Sequence, residues 1–193
     1  MMTKELKIDK GQWLSDVLPM IPSNVILNKT ITGCGATTLE INAPRNSIII
    51  EPNVPVIIGK KARHPFLMPV YEGTTKEDLK AYLAGEQDGY HKIITTPEGF
   101  DKKVLPAMYE TATPVYEDYF LLFDECEKAI QDVGYRGDIY LPVEDFFTFK
   151  GKAMVSATPI PPSDPRFEEQ GFETLKIVPT YVYQQPLILC ITN

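Results

Sequence analysis

The stretch Thr30-Ile-Thr-Gly-Cys-Gly-Ala-Thr-Thr38 decides how the rest of the chain is read. It follows the apolar run Val25-Ile-Leu27 and leads into Leu39-Glu-Ile41, the order of a strand, a glycine-bearing turn and a helix start. Gly33 and Gly35 admit positive φ and close backbone approach, so the turn can aim several N–H groups at one anion. The partial positive charge of the helix start adds to that attraction. Phosphate is the natural guest, although a tight turn with no ligand has the same residues.

Working outward, continuous apolar runs alternate with helical stretches. The runs are Ser47-Ile-Ile-Ile-Glu51, Lys92-Ile-Ile-Thr-Thr96, Tyr119-Phe-Leu-Leu-Phe123 and Lys152-Ala-Met-Val-Ser156. Helices are expected over 10–22, 36–43, 56–63, 75–84, 97–109 and 141–149, the first from the stripe Trp13, Leu14, Val17, Leu18 and Ile21 closed by Pro22. A short strand is expected over 68–71, an irregular loop over 161–165, and late strands over 174–178 and 181–191. Strands buried on both sides predict an α/β fold, a mostly parallel sheet with helices on both faces.

Composition narrows the classes. A chain of 193 residues with 44% hydrophobic and 23% charged residues is long enough for a substantial core and has the balance of a globular protein. Its formal charge of −7 weighs against a surface basic throughout, while leaving room for a local basic groove. Residues 1–9 lack the apolar centre of a signal peptide and no run is long enough to span a bilayer, so a cytoplasmic protein with no membrane partner is expected. Cys34, Cys126 and Cys190 are too few and scattered for a disulfide framework or a zinc site.

Three groups of residues carry candidate chemistry. The spacing at 30–38 approaches the phosphate-binding P-loop, which ends Gly-Lys-Ser/Thr, but here the segment is Gly35-Ala36-Thr37. The Thr37 hydroxyl is placed to take a Mg²⁺ position. Asp124-Glu125 closes an apolar strand, where ligands bind in open sheets. Asp124 there suits Mg²⁺ held through water and Glu125 an attacking water, while an acidic helix start explains the same pair without a ligand. Ser156-Ala157-Thr158 is a third strand end, and in isolation reads as a turn before Pro159.

In order, Thr32-Gly-Cys-Gly-Ala-Thr37, Glu51-Pro-Asn53, Tyr71-Glu-Gly-Thr74, Thr95-Thr-Pro-Glu-Gly99, Asp124-Glu-Cys-Glu127 and Ser156-Ala-Thr158 resemble the motifs of the first motor domain of superfamily 2 helicases and translocases. The resemblance covers roughly residues 10–160 and implies a RecA-like P-loop fold, ATP and Mg²⁺ as cofactors, and nucleic acid as a partner. It implies that Thr32, Gly33, Cys34, Gly35, Ala36, Thr37 and Thr38 surround the nucleotide phosphates and that Asp124 and Glu125 do the metal and water work. Ser156 and Thr158 would relay nucleotide state, and Pro52, Asn53, Thr96, Pro97 and Glu98 would track a nucleic-acid backbone.

The chain departs from that family in three places. Ala36 stands where the phosphate-neutralising lysine belongs, which leaves either a degenerate motor domain or a cation supplied from elsewhere. Lys29, at the strand end before the turn, is the nearest candidate, and it can equally pair with Asp124. Glu127 replaces the family's usual Asp or His. Finally, residues 161–193 are too short for the second RecA-like domain that such motors use, so a fragment of a longer protein is expected, weak or inactive alone in ATP hydrolysis. The rival expectation is a non-catalytic module that kept the fold to bind nucleic acid or protein. A small-molecule kinase is a more distant one, since such enzymes also use the lysine.

Overall fold

A computed structural model describes residues 1–85, 89–126, 143–158 and 164–182. The expected strand over 181–191, most of the loop over 161–165, and Glu127 lie wholly or mainly outside the described residues.

Among the described residues eight strands form one sheet in which every pairing is parallel, in the order β1-β8-β2-β7-β6-β3-β5-β4. They are β1 (Thr3–Ile8), β2 (Val25–Asn28), β3 (Asn46–Ile50), β4 (Met68–Val70), β5 (Lys92–Thr95), β6 (Tyr119–Asp124), β7 (Gly151–Ser156) and β8 (Glu173–Pro179). The central strands β3, β6 and β7 are buried along nearly their whole length, which is why they read as unbroken apolar runs.

Side chains alternate between two cores. Ile48, Ile50, Ile93, Leu121 and Phe123 enter one, and Ile49, Ile94, Phe120, Leu122 and Val155 the other. The first is covered by α4 (Lys76–Ala84), by α5 (Pro97–Gly99) running through a π-helical turn (Phe100–Val104) into α6 (Leu105–Glu110), by α7 (Val115–Asp118), and by α8 (Val143–Thr148) and α9 (Arg166–Glu169). The second lies under α1 (Leu14–Val17), α2 (Ala36–Ile41) and α3 (Val54–Arg63). Helices therefore cover both faces, as expected.

Two segments near the amino terminus differ from the sequence reading. The expected helix over 10–22 is a single turn, α1, because Pro19 sits inside the apolar stripe and holds Leu18 in extended geometry, φ −140° and ψ 120°. At the other end, Trp13 stands just before the helix in extended geometry, φ −101° and ψ 162°, and is 58% exposed. Strand β1 has no counterpart among the expected strands: Lys4, Glu5 and Lys7 give it the charged alternation of an exposed edge. β8 joins the same sheet between β1 and β2, and among the described residues no helix is long and apolar enough to cross a membrane.

Candidate functional site

All strands being parallel, their carboxyl ends collect on one edge, and the singled-out motifs arrive there together. β7 lies between β2 and β6, with Asn28 opposite Ser156 and Asp124 opposite Val155. Lys29 and Asp124 thus start about 10 Å apart, two strand spacings, a gap a lysine side chain can span. The Lys29 amide is anchored on the Ser156 carbonyl at 2.9 Å. One residue past the β3–β6 pair Ile50–Phe123, Glu51 stands beside Asp124.

The turn has the backbone its glycines allow. Gly33 and Gly35 lie at φ 76° and 90°. The Cys34 carbonyl accepts from the Leu14 amide at 2.9 Å, tying the turn to α1, and the Gly35 carbonyl accepts from Leu39 at 2.8 Å. The first amides of α2 have no intrahelical acceptor and face outward from the helix start. Trp13 forms one wall: a Cβ added to Gly35 would meet its indole at 3.4 Å. Cys34 is turned into the core, and burial pushes its thiol up, so the side chain is a neutral packing group.

Below the turn, the Thr37 hydroxyl donates to Asp124 Oδ2. Lys29 Nζ lies 3.4 Å from Asp124 Oδ1 and also pairs with Glu125 Oε1. Burial would lower the Lys29 pKa, but the two carboxylates more than reverse this and raise it. Lys29 is therefore a fixed cation. Two non-glycine residues flank it in left-handed geometry, Thr30 at φ 43° and Glu125 at φ 50°. Thr30 is held by its amide on Asn28 Oδ1 and its hydroxyl on the Ile177 carbonyl, and the Glu125 amide donates to Asp124 Oδ1 at 3.0 Å. Backbone strain of this kind concentrates at ligand sites.

The turn, Lys29 and the Asp124-Glu125 strand end line a cleft of about 400 Å³. It gathers Lys29, Gly33, Cys34, Gly35, Ala36, Thr37, Thr38, Asn53, Asp124 and Glu125 of the expected set. It adds Trp13, Glu51, Lys60 and Arg63, to which the motifs assign no site role. Glu51 is 2% exposed, its Oε1 has no hydrogen-bond partner among the described residues, and burial, then Asp124, pushes its carboxyl up to about 7. Burial also lowers the Lys60 ammonium, against the pull of Asp124 and Glu51.

The remaining expected residues lie elsewhere. Thr32 is exposed and Pro52 half-buried outside the cleft lining. Ser156 is fully buried, its Oγ accepting from the Thr158 amide at 2.9 Å, while Thr158 is exposed. Thr96 caps α5 by accepting from Gly99 N at 3.0 Å, Pro97 is buried, and exposed Glu98 pairs with Lys102 at 2.7 Å. Thr96 and Glu98 line a second cleft of about 410 Å³ with Tyr71, Glu72, Gly99, Lys102 and Lys103.

Thr37 and Asp124 offer hard oxygen donors in contact with each other, the kind of set that holds Mg²⁺ when ligand phosphates and water complete the shell. Among the described residues no three His, Cys, Asp or Glu side chains form a metal-holding group. No known family model matches this chain, and no curated protein matches it.

Proposed function

We propose that this chain is a RecA-like, ATP-binding motor domain, the N-terminal half of a superfamily 2 helicase-like, nucleic-acid-dependent ATPase. The observation that carries the reading is the contact of the Thr37 hydroxyl with Asp124 beneath a glycine turn whose residues line the same cleft. In this reading the amides around Gly33, Gly35 and Thr37 bind the phosphates. Thr37 and Asp124 would hold Mg²⁺, which would supply charge neutralisation of the phosphate oxygens. Trp13, exposed on the wall beside Gly35, gives a flat apolar surface to the rest of the nucleotide. Glu125 orients water once it is released from Lys29. The second cleft, with Thr96, Glu98, Lys102 and Lys103, is the surface for a polynucleotide backbone.

Ala36 and the engagement of Lys29 by two carboxylates favour a second reading, a module that binds nucleotide or nucleic acid without hydrolysis. Calorimetry of ATP binding with and without Mg²⁺, on the parent and on Asp124→Asn, tests the first. It predicts binding that is strengthened by Mg²⁺ in the parent and indifferent to Mg²⁺ in the variant. No ATP binding at any Mg²⁺ concentration would sink it. ATP turnover in the presence of single-stranded DNA or RNA then separates motor from module.

A further inference from the structure

The cleft contains three cations, Lys29, Lys60 and Arg63, and three carboxylates, Glu51, Asp124 and Glu125. Lys29 is committed to Asp124 and Glu125 and has no charge to spare for a ligand. We propose that Lys60, with Arg63 one turn further along α3, is the cation that meets a polyphosphate held by the glycine turn, replacing the charge that Ala36 lacks. This rests on the nucleotide reading of the same cleft.

Four observations support the assignment. Val56, Lys60 and Arg63 recur at helical spacing and all line the cleft, so one face of α3 is turned towards the turn, while Ile57 on another face is buried in the core. Among the described residues neither Lys60 Nζ nor the Arg63 guanidinium makes an ion pair or a hydrogen bond. Neighbouring Lys61 does, donating to the Pro65 and Leu67 carbonyls, and does not line the cleft. Finally, Glu51, buried and with its Oε1 unpartnered among the described residues, lines the same cleft. A half-buried ammonium without a contact partner is unfavourable until a ligand brings an anion to it.

The test uses the whole 193-residue chain and the fluorescence of Trp13, its single tryptophan, during titration with MgATP and with tripolyphosphate. Lys60→Gln is expected to weaken both ligands by about tenfold or more, the scale of one charge-assisted hydrogen bond. Lys60→Arg should keep most of the affinity, and Lys61→Gln should bind as the parent does. Unchanged melting temperatures would show that all three variants fold. If the parent binds and Lys60→Gln binds equally well, the assignment to α3 is wrong while the nucleotide reading stands. If the parent binds neither ligand, by fluorescence or by calorimetry, both fall.

Discussion

Lys29 Nζ reaches across the end of β7 to lie 3.4 Å from Asp124 Oδ1, closing the cleft floor with an ion pair between strands that are not neighbours. The second partner, Glu125, makes the lysine a bridge between both carboxylates of the pair. Of the two roles open to Lys29 from its position in the sequence, the structure has it pairing.

Lys29→Met should therefore destabilise the fold. Asp124 is 2% exposed, and removing its counter-charge strands a buried carboxylate, at a cost of about 3 kcal/mol. The lysine's pKa is raised, so the pair's contribution is fully present below the ordinary lysine value of about 10.4 and is lost as pH rises through the higher folded value. Urea unfolding should show a constant gap between parent and variant from about pH 6 to 10, narrowing above that. Equal stability at neutral pH would show that the pair contributes nothing.

Glu51 makes the opposite prediction. Its carboxyl is pushed up from 4.5 to about 7, first by burial and then by Asp124. The folded state thus holds the proton more tightly than the unfolded one, and stability falls as pH rises from 4.5 through about 7. Glu51→Gln removes that charge and should be about 2–3 kcal/mol more stable than the parent at about pH 8, with little difference at about pH 4.5. Parallel denaturation curves at the two pH values decide it; a variant less stable at the higher pH would contradict the assignment.

Gly99 is required for space rather than for φ. A Cβ there would lie 2.5 Å from Thr95 Oγ1 and 2.9 Å from the Val70 carbonyl, two groups already joined by a hydrogen bond from the hydroxyl to the carbonyl. Gly99→Ala should cost about 2–3 kcal/mol by overpacking. Gly59, in the interior of α3, gives the contrast, because beyond its chain neighbours and the helix's own backbone no heavy atom stands within 4 Å of the place a Cβ would take. Gly59→Ala should stabilise by about 0.5–1 kcal/mol. Thermal melts of the two variants should move in opposite directions.

Ala36 is 4% exposed at the first residue of α2, yet it borders the cleft. A lysine there can run its stem along the wall and place its charge beside the turn. Ala36→Lys should raise ATP affinity by about tenfold or more, read by calorimetry. No gain would mean that the turn does not present phosphate to that position.

The central strands were legible because burial on both faces leaves no polar alternation: β3, β5 and β6 match their apolar runs to within a residue. The edge was not. β1 has the charge pattern of a solvated segment and becomes a strand only by pairing with β8, at the far end of the described chain. Pro19 was the legible signal that shortens α1, two residues after the helix ends. Lys60 and Arg63 look like ordinary basic residues in the last turn of a helix, where they complement its dipole. Only the β3–β6 register, which brings Glu51 and the helix after it next to Asp124, gives them a place at the site.

The most direct measurement is the amide spectrum of isotopically labelled protein during titration with MgATP. Phosphate seated in the turn predicts that the backbone amides of Gly33, Gly35, Ala36 and Thr37 shift most, with the Trp13 indole moving alongside them. Shifts confined to the second cleft around Thr96 and Lys102, or no shifts at all, would contradict a phosphate-binding turn.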